Sequence, residues 1–144
     1  VYPTTITSTT YYELYRKENG SARQLFSFQD TGTVLSFGTA TTVNGYHELD
    51  IPITASNYTN QWVHLVASYT SGLKVIYRNG APIGSTDTIT GTLVQGEATP
   101  YVGSASGGGE WFAGRYSVCR MYGFGLNQEQ VLQNFNATRG RYGI

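Results

Sequence analysis

Tyr46, Glu48 and Asp50 stand at alternate positions of the run Tyr46-His47-Glu48-Leu49-Asp50-Ile51-Pro52-Ile53. Alternate residues of a β-strand share a face, so a phenol and two carboxylates project together, while His47, Leu49, Ile51 and Ile53 project the other way. Two carboxyl groups on one surface suggest acid/base or nucleophilic work on a glycosidic bond, where retaining chemistry needs them about 5 Å apart. The positions that would continue the acid row hold Pro52 and Ile53, neither of which can move a proton. Glu97 or Glu110 would have to bring the second acid from another loop, and nothing in the sequence places either there. No catalytic residue is expected, and the acid pair reads as an outward polar face.

A second candidate cluster lies around the Gly-rich run Gly103–Gly109, where Tyr101 precedes and Glu110 and Trp111 follow. Flexible glycine segments beside a Trp make good binding rims. Aromatic faces stack on sugars, and Asn, Asp or Glu bond their hydroxyls. Trp111, Tyr101, Glu110, Tyr46, Glu48 and Asp50 are therefore the candidate ligand-binding residues. Other chemistries find less support. His47 and His64 fall on separate strands with no Ser or Cys motif suggesting a triad. The glycine run is followed by neither Lys nor a helix, so it is no phosphate loop. Lone Cys119 has no internal disulfide partner and is expected in the core as a small hydrophobe. No Cys/His spacing suits a metal, and no cofactor is expected.

Composition sets the class. The 144 residues suit one domain with a real core, carry nine basic and nine acidic residues, and are only 12% charged. A general electrostatic affinity for nucleic acid or anionic membrane is therefore not expected. No segment approaches the roughly 20 consecutive apolar residues of a membrane span. Twelve Tyr and eighteen Gly, with abundant Thr, match an all-β protein rich in turns. Val1-Tyr2-Pro3 shows neither an initiator Met nor a signal-like core, which reads as a processed terminus or an excised piece of something longer.

Alternation predicts strands over 11–16 and 23–28, joined by the turn Asn19-Gly20, and over 33–37, 46–53, 62–69, 73–78, 99–103 and 116–122. Asn127 is a good N-cap and Glu129 suits the first turn of a short helix after the last strand. The expected fold is an all-β antiparallel sandwich with one short C-terminal helix.

The run Gln61-Trp62-Val63-His64-Leu65-Val66-Ala67-Ser68-Tyr69 resembles the Trp-x-His-Val-Ala strand of laminin-G-like domains, a jelly-roll branch of the concanavalin A-like lectin/glucanase superfamily. Leu73–Gly80 is similar to the strand ending in Tyr-x-Asn-Gly. Tyr101-Val102-Gly103, Phe112-Ala113-Gly114, Arg120-Met121-Tyr122 and Leu126 follow in the family's order. By this resemblance His64 has a structural hydrogen-bonding role. The family's acidic positions hold Thr70, Ser117 and Val118, so calcium, which related domains bind, finds no clear ligand set. Glu48-Leu49-Asp50-Ile51 resembles the superfamily's hydrolase signature, without its final acid. Residues 1–60 match less well. The single domain 1–144 is thus expected to lack its first strand or to be cut from a longer chain, with an open sheet edge that a neighbour could cover.

The ending Asn134–Ile144 resembles that of laminin-G-like domains in virion proteins of tailed phages. This resemblance implies a non-enzymatic decoration module of a capsid, tail or fibre, on the virion surface or extracellular, acting in assembly contacts and glycan binding. It also implies partner contacts through Arg139, Arg141 and Tyr142 with other virion subunits, as a homo-oligomer. A free carbohydrate-binding module of a secreted bacterial protein is the alternative, and a glucan hydrolase ranks below both.

Overall fold

The computed structural model describes residues 1–105 and 107–144. Ser106, inside the expected flexible loop, lies outside the described residues. The strands are β1 (Tyr2–Pro3), β2 (Tyr12–Asn19), β3 (Ala22–Gln29), β4 (Val34–Thr41), β5 (Gly45–Pro52), β6 (Leu65–Thr70), β7 (Leu73–Arg78), β8 (Ala81–Thr88), β9 (Tyr101–Val102) and β10 (Gly114–Arg115), followed by α1 (Gln128–Thr138). A five-stranded sheet ordered β5-β4-β3-β2-β9 faces a three-stranded sheet, β6-β7-β8, and β1 pairs with β10. All ladders are antiparallel.

Alternating side chains make the core. Tyr12, Leu14, Phe28, Leu35, Leu49 and Ile51 project from the five-stranded sheet onto Ile76, Val63 and Tyr58. Lys74, fully buried beside Ile76 on β7, bridges the layers by donating to the Phe37 and His47 carbonyls. Burial lowers its ammonium pKa to about 8, and the charges of Asp87, Glu48 and Asp50 oppose that shift. The other face of β7 presents Val75 and Tyr77 to Leu126 and Val131, so α1 covers the outside of the smaller sheet. The helix start follows its sequence: the Asn127 side chain accepts from the Gln130 N–H while the Gln130 side chain accepts from the Asn127 N–H, a reciprocal capping box.

Several expectations change. No ladder forms over 116–122, where a strand was expected; pairing stops just before it, at Gly114–Arg115. Neither set of alternate residues there is wholly apolar, so alternation specifies no buried face. Val118, Met121, Tyr122 and Phe124 are exposed, and so is Cys119, which is not the expected core residue. The strand expected from Trp62 starts at Leu65, and the one over 99–103 shrinks to Tyr101–Val102. Strand β8 carries Pro82 and Gly84, poor strand residues tolerated because β8 is an edge.

Candidate functional site

The outer face of the five-stranded sheet is organised in cross-strand rows. One runs Glu13–Ser27–Ser36–Asp50 over β2, β3, β4 and β5. The next runs Tyr101–Arg16–Leu25–Gly38–Glu48 from β9 to β5. Opposed residues of an antiparallel ladder share a face, so the two candidate clusters, distant in sequence, meet on one surface. Glu48 and Glu110 line the same pocket of about 310 Å³, with Tyr11, Glu13, Arg16, Arg23, Leu25 and Gln29.

Glu13 and Arg16 share this face because of a bulge. Strict alternation would set residues three apart on opposite faces, but the β2–β3 register shifts between Glu13 and Tyr15. The extra residue lets Arg16 donate to Glu13 at 2.7 Å, to Glu18 at 2.8 Å and to Glu110 at 3.2 Å. The other oxygen of Glu13, Oε2, is buried with no hydrogen-bond partner among the described residues, and the side chain is 1% exposed. Burial pushes the Glu13 carboxyl up to about 7 against the pull of Arg16, with Glu110 adding to the rise.

Glu48 is tuned the other way. Burial alone would raise its carboxyl, but donation from Tyr46, from Ser36 at 2.8 Å and from Gln29 at 3.0 Å holds it below the usual carboxylate range. Ser36 also reaches Asp50. Gly38 makes the arrangement fit: a Cβ there would meet the Tyr46 hydroxyl at 2.2 Å and its ring carbon at 2.8 Å. Burial and neighbouring Glu48 hold the Tyr46 phenol far above its ordinary range, so it stays a donor, and Arg23 stacks on its ring at 4.5 Å.

The Gly-rich loop closes one side. The Glu13 N–H donates to the Glu110 carbonyl at 3.0 Å, and the Phe112 N–H to that of Gly103 at 2.9 Å. Trp111 is 65% exposed, and a Cβ on Gly108 would touch its indole. Tyr101 is half-buried on β9.

Residues 1–132 match a family profile described as the concanavalin A-like lectin/glucanases superfamily. The chain belongs to this superfamily. A lectin-like, carbohydrate-binding fold of this superfamily thus carries the polar face. A structure of botulinum neurotoxin type C, whose entry into cells depends upon interaction with two ganglioside molecules, is similar to the chain with a TM-score of 0.60 and 11% identity. That likeness spans 93% of this chain and 33% of the neurotoxin chain, so this chain spans about a third of its length. No curated protein matches the chain.

Within this lectin-like fold the remaining site residues separate. Tyr142 turns back on its own chain, its ring 5.0 Å from Trp62 and its hydroxyl bonded to Ser117. Arg139 and Arg141 are exposed. Glu97 lies off the groove, where its carbonyl accepts from the Asn19 side chain. His64 joins its backbone to Asn79, while its ring packs on Phe135 and Nδ1 has no partner among the described residues. No group of three or more His, Cys, Asp or Glu among the described residues is arranged to hold a metal ion, and Arg16 fills the centre of the acidic cluster. No helix among the described residues is long and apolar enough to cross a membrane. Glu13, Arg16 and Gln29 were missed from sequence. The available signal was the apolar doublet Leu14-Tyr15 between charges, which breaks the alternation where the bulge forms.

Proposed function

We propose that the chain is a non-enzymatic glycan-recognition module, binding through the groove over β2–β5 with Glu48 and Asp50 as hydroxyl acceptors and the Tyr101, Glu110 and Trp111 loop as rim. The observation that carries this is that Glu48 of one predicted cluster and Glu110 of the other line one polar pocket, with Tyr46, Asp50, Tyr101 and Trp111 outside its lining. There a buried carboxyl oxygen of Glu13 has no partner among the described residues, beside a rigidly oriented Glu48. Such fixed acceptors are what sugar hydroxyls need, and Trp111 offers an exposed stacking face. The superfamily's description, and the interaction of the neurotoxin with gangliosides, support sugar binding.

A hydrolase reading has one observation in its favour: Glu13 is pushed up and Glu48 down on one face, the pattern of an acid beside an ionised partner. Binding is favoured because the carboxylates are held in place as acceptors, with Glu13 Oε2 the oxygen left without a partner among the described residues. Arg16 holds Glu13 and Glu110, three donors hold Glu48, and Ser36 reaches Asp50.

The module is proposed to be displayed on a virion surface, as part of a homo-oligomer, with exposed Arg139 and Arg141 facing neighbouring subunits. The tail's resemblance to phage proteins and the zero net charge support this. A glycan array followed by calorimetry tests the binding reading. Binding that drops about tenfold or more in Glu48→Gln supports it, on the order of one lost charged hydrogen bond. Release of reducing sugar from β-glucans by the wild type, abolished in Glu48→Gln, would overturn the non-enzymatic assignment.

A further inference from the structure

The three-stranded sheet is too narrow to cover the larger one. Strand β8 packs on β5, where Gly84 lies against Ile51, and Lys74 of β7 reaches the Phe37 carbonyl of β4. That leaves the inner side of β2 without a strand opposite, and a cavity of about 610 Å³ opens there, bordered by β6 and segment 116–126. Two cross-strand rows of the larger sheet line it: Tyr15–Phe26–Phe37 and, one pleat further, Lys17–Gln24–Thr39. The first row is aromatic and the second polar. Leu65 and Ala67 of β6 line it as well, with Val118, Met121 and Phe124, which are also exposed to solvent.

The Tyr15 hydroxyl and Thr39 Oγ1 are buried with no hydrogen-bond partner among the described residues, and Thr39 is only 3% exposed. Such groups cost stability until an acceptor reaches them. Charge points to the kind of acceptor. Lys17 and Arg120 line the cavity and form no ion pair among the described residues, whereas none of its lining residues is Asp or Glu. We infer that this cavity is a second ligand site, separate from the groove on the outer face, and that it takes a fatty acid. The aliphatic chain lies over Phe26 and Phe37. The carboxylate meets the Lys17–Gln24–Thr39 row, where the ammonium offsets its charge and a hydroxyl donates to it. The volume falls within the roughly 300–1,000 Å³ of small-molecule sites, and the bound chain shields apolar side chains of segment 116–126 from water.

The test is calorimetry on the whole chain with laurate below its micellar concentration, and with dodecanol as the uncharged molecule of equal chain length. Laurate is expected to bind saturably, and Lys17→Met to weaken it about tenfold, as loss of one charged hydrogen bond would, while changing dodecanol little. Ala67→Phe, which fills the cavity, is expected to weaken both about tenfold or more, its melting temperature showing that it is folded. Bound laurate is also expected to slow alkylation of Cys119, which lines the cavity, several-fold. Absence of saturable binding, association only as micelles form, or laurate affinity unchanged in Lys17→Met or in folded Ala67→Phe overturns the inference. So does amide-exchange protection of residues 116–122 in the free protein, because the chain would then fill the cavity with its own strand. None of these outcomes bears on the outer groove, whose test is Glu48→Gln.

Discussion

The outer face of β2–β5 and the segment 116–125 both carry period-2 patterns, yet one becomes a hydrogen-bonded array and the other crosses the surface without a ladder. In β5, every second residue is apolar where it meets the core, so burial of Leu49 and Ile51 leaves Glu48 and Asp50 only one direction to point. In 116–122, polar and apolar residues occur in both alternate sets, and no register buries one without the other. Alternation acts through the hydrophobic difference between faces. Where that difference vanishes, local contacts decide: the Tyr116 hydroxyl donates to the Leu14 carbonyl at 3.1 Å, and its ring stacks on Phe112.

The largest expected effect contrasts the two regions by mutation. Phe28 is fully buried, and Phe28→Ala is expected to cost roughly 3–5 kcal/mol. Val118 and Met121 are 47% and 64% exposed, and Val118→Ser or Met121→Ser is expected to change stability within about 0.5 kcal/mol. Urea denaturation monitored by tryptophan fluorescence measures both. A Met121→Ser cost approaching that of Phe28→Ala would show that the segment packs into the sandwich in solution.

A smaller effect separates the two tuned carboxyls of the polar face. Glu13 has a folded pKa of about 7 against an ordinary 4.5, so between those values the folded state holds a proton that the unfolded chain has released. Stability therefore falls as pH rises through that window, by up to about 3 kcal/mol, and the loss is complete above it. The groups facing Glu13 are Arg16 on its own strand and Glu110 from the Gly-rich loop. Glu48, held below its ordinary value, acts oppositely: its contribution is present above the ordinary carboxylate range and is lost as pH falls through the lowered value. Glu13→Gln is expected to flatten the decline in stability between pH 4.5 and 7, read from denaturation midpoints across pH. An unchanged slope would mean that Glu13 is ionised and fully paired throughout.

Much of the fold was legible because core-facing strands announce themselves by alternation and turns by Asn-Gly pairs. Asn19-Gly20 and Asn79-Gly80 sit between paired strands with Asn79 and both glycines at positive φ. The capped helix followed from Asn127. The outward direction of Glu48 and Asp50 was legible too. Their partners were not, because a single-residue bulge at Leu14 reverses which of Glu13 and Arg16 faces the groove, and nothing short of the ladder fixes a bulge. Glu110 reaches the same pocket from a loop, 94 residues beyond the Arg16 it meets, a juxtaposition set by the β2–β9 pairing. Strand β8 was hidden by Pro82 and Gly84, whose usual meaning is a turn.

The smallest effect on stability is the sharpest on exposure. Cys119 lies in the unladdered segment as an exposed free thiol, while a period-2 strand would have set it among core residues. A thiol reagent under native conditions is therefore expected to label one cysteine at a rate close to that of the urea-unfolded chain, and Cys119→Ser is expected to shift stability by less than about 0.5 kcal/mol. Slow native labelling that accelerates on unfolding would mean that 116–122 closes against the free edge of β6. Since the groove lies on the opposite face of the larger sheet, such closure would leave Glu48 and Arg16 in place. The two regions would then differ in order without being coupled.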